Sequence, residues 1–154
     1  MWSSFGWGGE LDERKSRSGY LIRVNGCLVS YSSKLQKTVS LSSAEAEYFA
    51  ISVALQEIIW IRQVLTEVLM GTVPVATPVL QCDNRAAIAI SSNDIQHERT
   101  KHIDIRHHFV REEVKQKRLA LEWIGTQDQA ADIMTKPLGT QLFEKFREVI
   151  VFSQ

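Results

Sequence analysis

Residues 80–90 read LQCDNRAAIAI: a short apolar run closes, an acid follows at Asp83, and an Ala-rich segment begins. This composition predicts a strand running into a helix, and in an open α/β sheet the crevice beyond such strand ends is where ligands and catalytic groups sit. Asp83 therefore has two readings. Asp is a favoured helix N-cap, accepting a bond from a backbone N–H that the helix leaves without a partner. Alternatively, it is one of several acids that converge on a site, which requires further acids from distant parts of the chain.

Upstream, the β-prone runs GYLIRV and CLVSYSS flank Asn25-Gly26, a pair favoured in two-residue reversals, and predict a β-hairpin. Residues 43–70 contain neither Gly nor Pro, and Ile51, Leu55, Ile58 and Leu65 recur at helical spacing, which predicts one long helix. Ser42 followed by Glu45 gives this helix a capping box, so Glu45 has a structural task. Glu47 does not fit that pattern. It stands four residues before Ile51 and eight before Leu55, at the N-terminal end of the apolar stripe.

Downstream, TPVLQCD predicts a strand, NRAAIAISS a short helix, HIDIRHHFVREEVKQKR a charged amphipathic helix and LALEWIG a strand. AADIMT predicts a helical turn stopped at Lys136-Pro137, and residues 139–152 a final amphipathic helix. The sum is a mixed α/β chain, expected to form one domain over residues 1–154.

The composition agrees, with 44% hydrophobic and 23% charged residues among 154, ordinary for a compact domain. Eighteen basic and eighteen acidic residues cancel, so nucleic-acid binding needs a local patch. Cys27 and Cys82 lie far apart, outside any CxxC spacing, which argues against a disulfide framework or thiolate zinc site and for a reducing compartment. No apolar leader follows Met1, and charges interrupt the apolar runs. The expectation is a soluble intracellular chain, cytoplasmic or nuclear, with no targeting signal and no membrane partner.

Glu47 at a helix start, Asp83 at a strand end and Asp132 on a late helical turn are placed as a scaffold places a carboxylate cluster. Clustered carboxylates repel unless a cation sits among them, and hard oxygen donors suit Mg²⁺ or Mn²⁺. Two such ions about 4 Å apart stabilise both the entering and the leaving oxygen in phosphodiester hydrolysis. The four histidines, His97, His102, His107 and His108, are spaced five, five and one, which does not match the i, i+4 spacing of a helical zinc pair. Asp104 and His108, one turn apart, are expected to pair. Residues 97–118 carry seven Lys and Arg against four acids, a basic face that either contacts phosphates or is merely solvated. Trp60 and Trp123 fall in apolar periodic contexts and are expected in the core.

The stretches RKSRSGYL, SLSSAEAEYFA, IWIRQVL, CDNRAAIAI, ERTKHIDIRHHFVRE and QAADIMTKPL together resemble the ribonuclease H domain of copia-type LTR-retrotransposon polyproteins. They run in that family's order from about Trp7 to the C-terminus. The resemblance implies a ribonuclease H-like fold: a five-stranded mixed sheet, strands one to three antiparallel, flanked by helices. It further implies cleavage of the RNA strand of RNA–DNA hybrids by two Mg²⁺ or Mn²⁺ ions, with Glu47, Asp83 and Asp132 as catalytic metal ligands. Asn84, Arg99, Lys101 and Arg106 are the candidate nucleic-acid contacts.

One position departs from the family pattern. Where relatives read roughly Ser-Asp-Ala-Asp-Trp, residues 3–7 read SSFGW, so Ser4 replaces the first-strand acid. A neutral hydroxyl cannot balance two cations, and Glu10 and Asp12 would need a shifted strand to substitute. Met1 falls where relatives continue from a reverse transcriptase, the expected neighbour in a parent polyprotein. Two functions stay open: a metal-dependent hybrid ribonuclease, or an inactive remnant that binds nucleic acid through the same fold.

Overall fold

The computed structural model describes residues 1–6, 16–36, 42–72, 74–92 and 101–151, with the backbone alone at 2–6, 92 and 101–104. Its strands are β1 (Trp2–Gly6), β2 (Arg17–Val24), β3 (Cys27–Leu35), β4 (Val79–Cys82) and β5 (Ala120–Trp123). The helices are α1 (Ser43–Val68), α2 (Arg85–Ser92), α3 (Lys101–Lys115) and α4 (Thr140–Val151), with 3₁₀ turns η1 (Thr126–Asp128) and η2 (Ala130–Met134) between β5 and α4. The five strands form one sheet in the order β3-β2-β1-β4-β5. Strands β1 to β3 are antiparallel, while β4 joins β1 and β5 joins β4 in parallel.

The hairpin forms where Asn25-Gly26 predicts it. Asn25 (φ 48°) and Gly26 (φ 83°) are both left-handed, as a tight reversal that matches strand twist requires. Strand β2 is buried on both faces: Tyr20 and Ile22 join the α1 side, and Leu21 the opposite one. This follows from side-chain alternation in a strand covered twice.

One core joins Tyr20 and Ile22 to Tyr48, Ile51, Leu55 and Ile58 of α1, Leu80 and Cys82 of β4, and Val110 of α3. A smaller core on the other face sets Leu21 against Ala130 of η2 and Phe146 of α4. The sheet is thus the middle of three layers. Gly19 is required here for close approach: a Cβ at this position would lie 2.7 Å from Met134 Cβ and Thr135 Cγ2. Its absence lets η2 rest directly on β2.

Helix α1 departs from expectation in three ways. It ends at Val68 rather than Met70, where Met70 (φ 50°) and Gly71 (φ 68°) turn left-handed and the Gly71 N–H bonds Thr66 O at 3.1 Å. Trp60, expected in the core, is 58% exposed. The reason is length: 26 residues span about 39 Å, and every buried residue of α1 lies between Ala46 and Ile58. The remainder overruns the short parallel strands. By length and composition α1 also passes as a membrane span, contrary to the expectation that charges break every such run. Its buried stripe packs on the sheet. The final helix occupies Thr140–Val151, slightly inside the predicted 139–152.

Candidate active site

Two elements set the first carboxylates. At the start of α1 the Ser42 hydroxyl accepts the Glu45 N–H at 3.2 Å, as the capping pattern predicts. Buried Gln36 ties this turn to the sheet, its Nε2 donating to Ser18 Oγ at 2.7 Å and to Ala46 O at 3.0 Å. Glu47, the next residue, is held at 2% exposure. At the end of β4 the cap is Asn84, whose Oδ1 accepts the Ala87 N–H at 3.0 Å. Capping is therefore not the task of Asp83, and its carboxylate is available to the crevice.

Glu47, Cys82 and Asp83 each present one ligand atom, all within 4.8 Å of one another. Asp83 Oδ2 accepts the Thr126 hydroxyl at 3.0 Å, and its carbonyl oxygen accepts Trp123 Nε1–H at 3.2 Å. The Cys82 thiol donates toward Glu47 Oε2 at 3.9 Å. Burial, reinforced by the Glu47 carboxylate, pushes this thiol far above its usual range, so it stays protonated. Two carboxylate oxygens at this separation fit one hard divalent cation. The neutral thiol contributes a hydrogen bond in preference to a soft ligand.

Asp132 is placed differently. It lies on η2, fully buried, with Lys136 Nζ 2.7 Å from its Oδ2. Among the described residues it does not join the close group formed by Glu47, Cys82 and Asp83. The Ser4 backbone lies in the middle of β1, paired across with Gly19. Trp2 pairs with Gln81 in the parallel ladder, so continuing that register two residues sets Ser4 level with Asp83. Glu10 and Asp12 lie outside the described residues.

No family model matches the sequence. The chain is 40% identical over 142 residues to the Retrovirus-related Pol polyprotein from transposon TNT 1-94 of Nicotiana tabacum, a match covering 92% of the chain. It is 38% identical over 149 residues, 97% of its length, to the Pol polyprotein from transposon RE1 of Arabidopsis thaliana. In each case it spans a tenth of the relative's own length. Among solved structures it superposes on the N-terminal ribonuclease H domain of Rv2228c from Mycobacterium tuberculosis with a TM-score of 0.59 at 12% identity, covering 96% of this chain and 95% of that one. It superposes on LC11-RNase H1, isolated from compost, with a TM-score of 0.61 at 15% identity, covering 94% of each chain. LC11-RNase H1 in complex with an RNA/DNA hybrid gives 0.55 at 13% identity, covering 87% of this chain and 92% of that one. Over most of its length the chain is homologous to copia-type retrotransposon Pol polyproteins, and its fold is ribonuclease H-like.

Within this ribonuclease H-like fold the predicted nucleic-acid contacts divide. Asn84 spends its Oδ1 on the helix cap. Arg106 is exposed on α3 with its guanidinium 4.0 Å from the Phe49 ring centroid. Lys101 opens α3 with its side chain outside the description, and Arg99 lies outside the described residues, as does His97. His107 stacks on Tyr48 at 4.2 Å and its carbonyl accepts the Tyr48 hydroxyl at 3.2 Å. Burial pushes that phenol up to about 12. His108 is exposed, while the side chains of His102 and Asp104 lie outside the description.

Trp123, expected in the core, is 51% exposed, because it ends β5 where the strand leaves the packed layer. Arg85 lies 4.2 Å above its ring. Sequence reasoning missed Arg85, Trp123 and Thr126. The signal was positional, since a residue ending β5 lies beside the end of β4 in a parallel sheet.

Proposed function

We propose that this ribonuclease H-type domain binds RNA–DNA hybrids and cleaves their RNA strand with the help of Mg²⁺ or Mn²⁺, at a rate limited by Ser4. The observation that carries this is the convergence of Glu47 and Asp83 from α1 and β4 within 4.8 Å. A divalent ion held between them would supply Lewis-acid stabilisation of charge developing on phosphate oxygens. The chain's own residues prepare the position. Thr126 orients the Asp83 carboxylate, the wall of Tyr48, Cys82 and Leu80 keeps Glu47 dry, and Asn84 frees Asp83 by taking the cap.

Recognition would rest on backbone shape and 2′-hydroxyls, with little sequence preference. Arg106, Lys101 and Arg99 are proposed phosphate contacts, and Asn84 a contact through its amide nitrogen. Asp132 is proposed as the third metal carboxylate, reached when Lys136 gives way to a cation. A reverse transcriptase domain in a longer polyprotein is the proposed neighbour. An intracellular setting, cytoplasmic or nuclear, accords with two free cysteines.

The second reading, a module that binds hybrid without cutting it, is favoured by the pairing of Asp132 with Lys136 and by Ser4 at the centre of β1. Cleavage of a labelled hybrid in Mg²⁺ and in Mn²⁺ separates the two. The enzyme reading expects slow cutting that Asp83→Asn abolishes. It expects Ser4→Asp to accelerate cutting on the order of 100-fold, from several kcal/mol of added charge stabilisation. Silence of both the parent and Ser4→Asp, with hybrid binding retained, supports the module.

A further inference from the structure

We infer that Arg85, with Trp123 beneath it, holds a backbone phosphate of the nucleic acid next to the one that reaches Asp83. This rests on the proposed hybrid-binding function and adds Arg85, which lies within CDNRAAIAI but was not among the predicted nucleic-acid contacts. Three observations carry it. First, Arg85 is an exposed first residue of α2 whose guanidinium lies 4.2 Å from the Trp123 ring centroid. A guanidinium lying over a ring keeps its N–H donors at its edge, free for a bidentate phosphate contact. Among the described residues no carboxylate pairs with it.

Second, the indole is not a loose surface side chain. Although 51% exposed, it donates its N–H to the Asp83 carbonyl oxygen at 3.2 Å, so ring and stacked guanidinium are registered to the backbone of the candidate metal ligand. Third, the neighbouring Thr126 hydroxyl bonds the Asp83 carboxylate at 3.0 Å. Cationic platform and carboxylate thus share one small surface made by the ends of β4 and β5 and the start of α2. Only Asn84 separates Arg85 from Asp83 in the chain, so the two side chains can meet neighbouring phosphates of one strand. The platform offers charge and a flat apolar face, which suits a phosphodiester backbone.

The test measures binding of a fluorescein-labelled RNA–DNA hybrid by anisotropy over a KCl series in EDTA, so that cleavage does not intervene. Each phosphate contact contributes about 0.9 to the slope of log K against log salt. Arg85→Gln is expected to weaken binding and lower that slope by about this amount. Arg85→Lys should keep the slope but bind less tightly, having lost the planar stack. Trp123→Ala should weaken binding, and combining it with Arg85→Gln should cost little more than Arg85→Gln alone. Thermal melts of each variant establish that the fold persists. A parent that binds hybrid while Arg85→Gln leaves the slope unchanged overturns this inference and spares the functional reading. A parent that does not bind hybrid overturns both.

Discussion

At Asp83 and Asn84 two adjacent side chains with similar hydrogen-bonding ability take different tasks. Asn84 caps α2, and Asp83 faces Glu47 and Thr126. An acid placed as a cap would have its oxygens committed to backbone N–H groups. Asn84→Ala should therefore lower stability by about 1 kcal/mol, read by urea unfolding, while Asp83→Asn should lose cleavage with little change in the unfolding midpoint. Glu47 stood out in the sequence because the capping box left it without a structural task, whereas Asp83 read as well as a helix cap and was singled out by the resemblance. Their convergence was not legible, since it depends on sheet order. The partnership of Asp132 was also missed, although Lys136 four residues on was in plain view. A carboxylate and an ammonium one turn apart resemble any surface pair until burial of one of them is known.

Among the elements, the connection from α3 to β5 is stapled by one ion pair. Arg118 Nε donates to Glu113 Oε2 at 2.9 Å, and its backbone N–H bonds the Glu113 carbonyl at 2.9 Å. The Arg118 hydrogen bond holds the Glu113 carboxyl below its ordinary value of 4.5. A carboxyl depressed in the folded state stabilises the fold above its unfolded value and ceases to do so as pH falls through the folded one. Melting temperature should thus decline below about pH 4.5, and Glu113→Gln should flatten part of that decline while lowering the neutral-pH value. At β2, Gly19→Ala should lift η2 from the sheet and cost about 2 kcal/mol, measurable by denaturant titration. Element types were legible from periodicity and from Asn25-Gly26. The exposure of Trp60 and Trp123 was not, because a periodic pattern tells which side of an element is apolar and not how far its neighbours extend.

For the molecule as a whole, the sheet order brings the start of α1, the end of β4 and the centre of β1 to one place, with separate cores on the two faces. Periodicity and turn residues reach mixed α/β, and the resemblance adds five strands with the first three antiparallel; the order β3-β2-β1-β4-β5 was legible in neither. The reason is physical: alternation and helical period are local, whereas the pairing of Trp2 with Gln81 joins segments that no window contains. That pairing also sets a timetable. The hairpin β2–β3 closes over two residues and can form early, whereas the parallel half must wait for a large loop to close and meet its entropic cost. Pulse-labelled hydrogen exchange during refolding should find amides of β2 and β3 protected before those of β4 and β5. The acids would then meet late, so a chain already holding its hairpin and long helix would still lack a place for a metal ion until the last ladder closes.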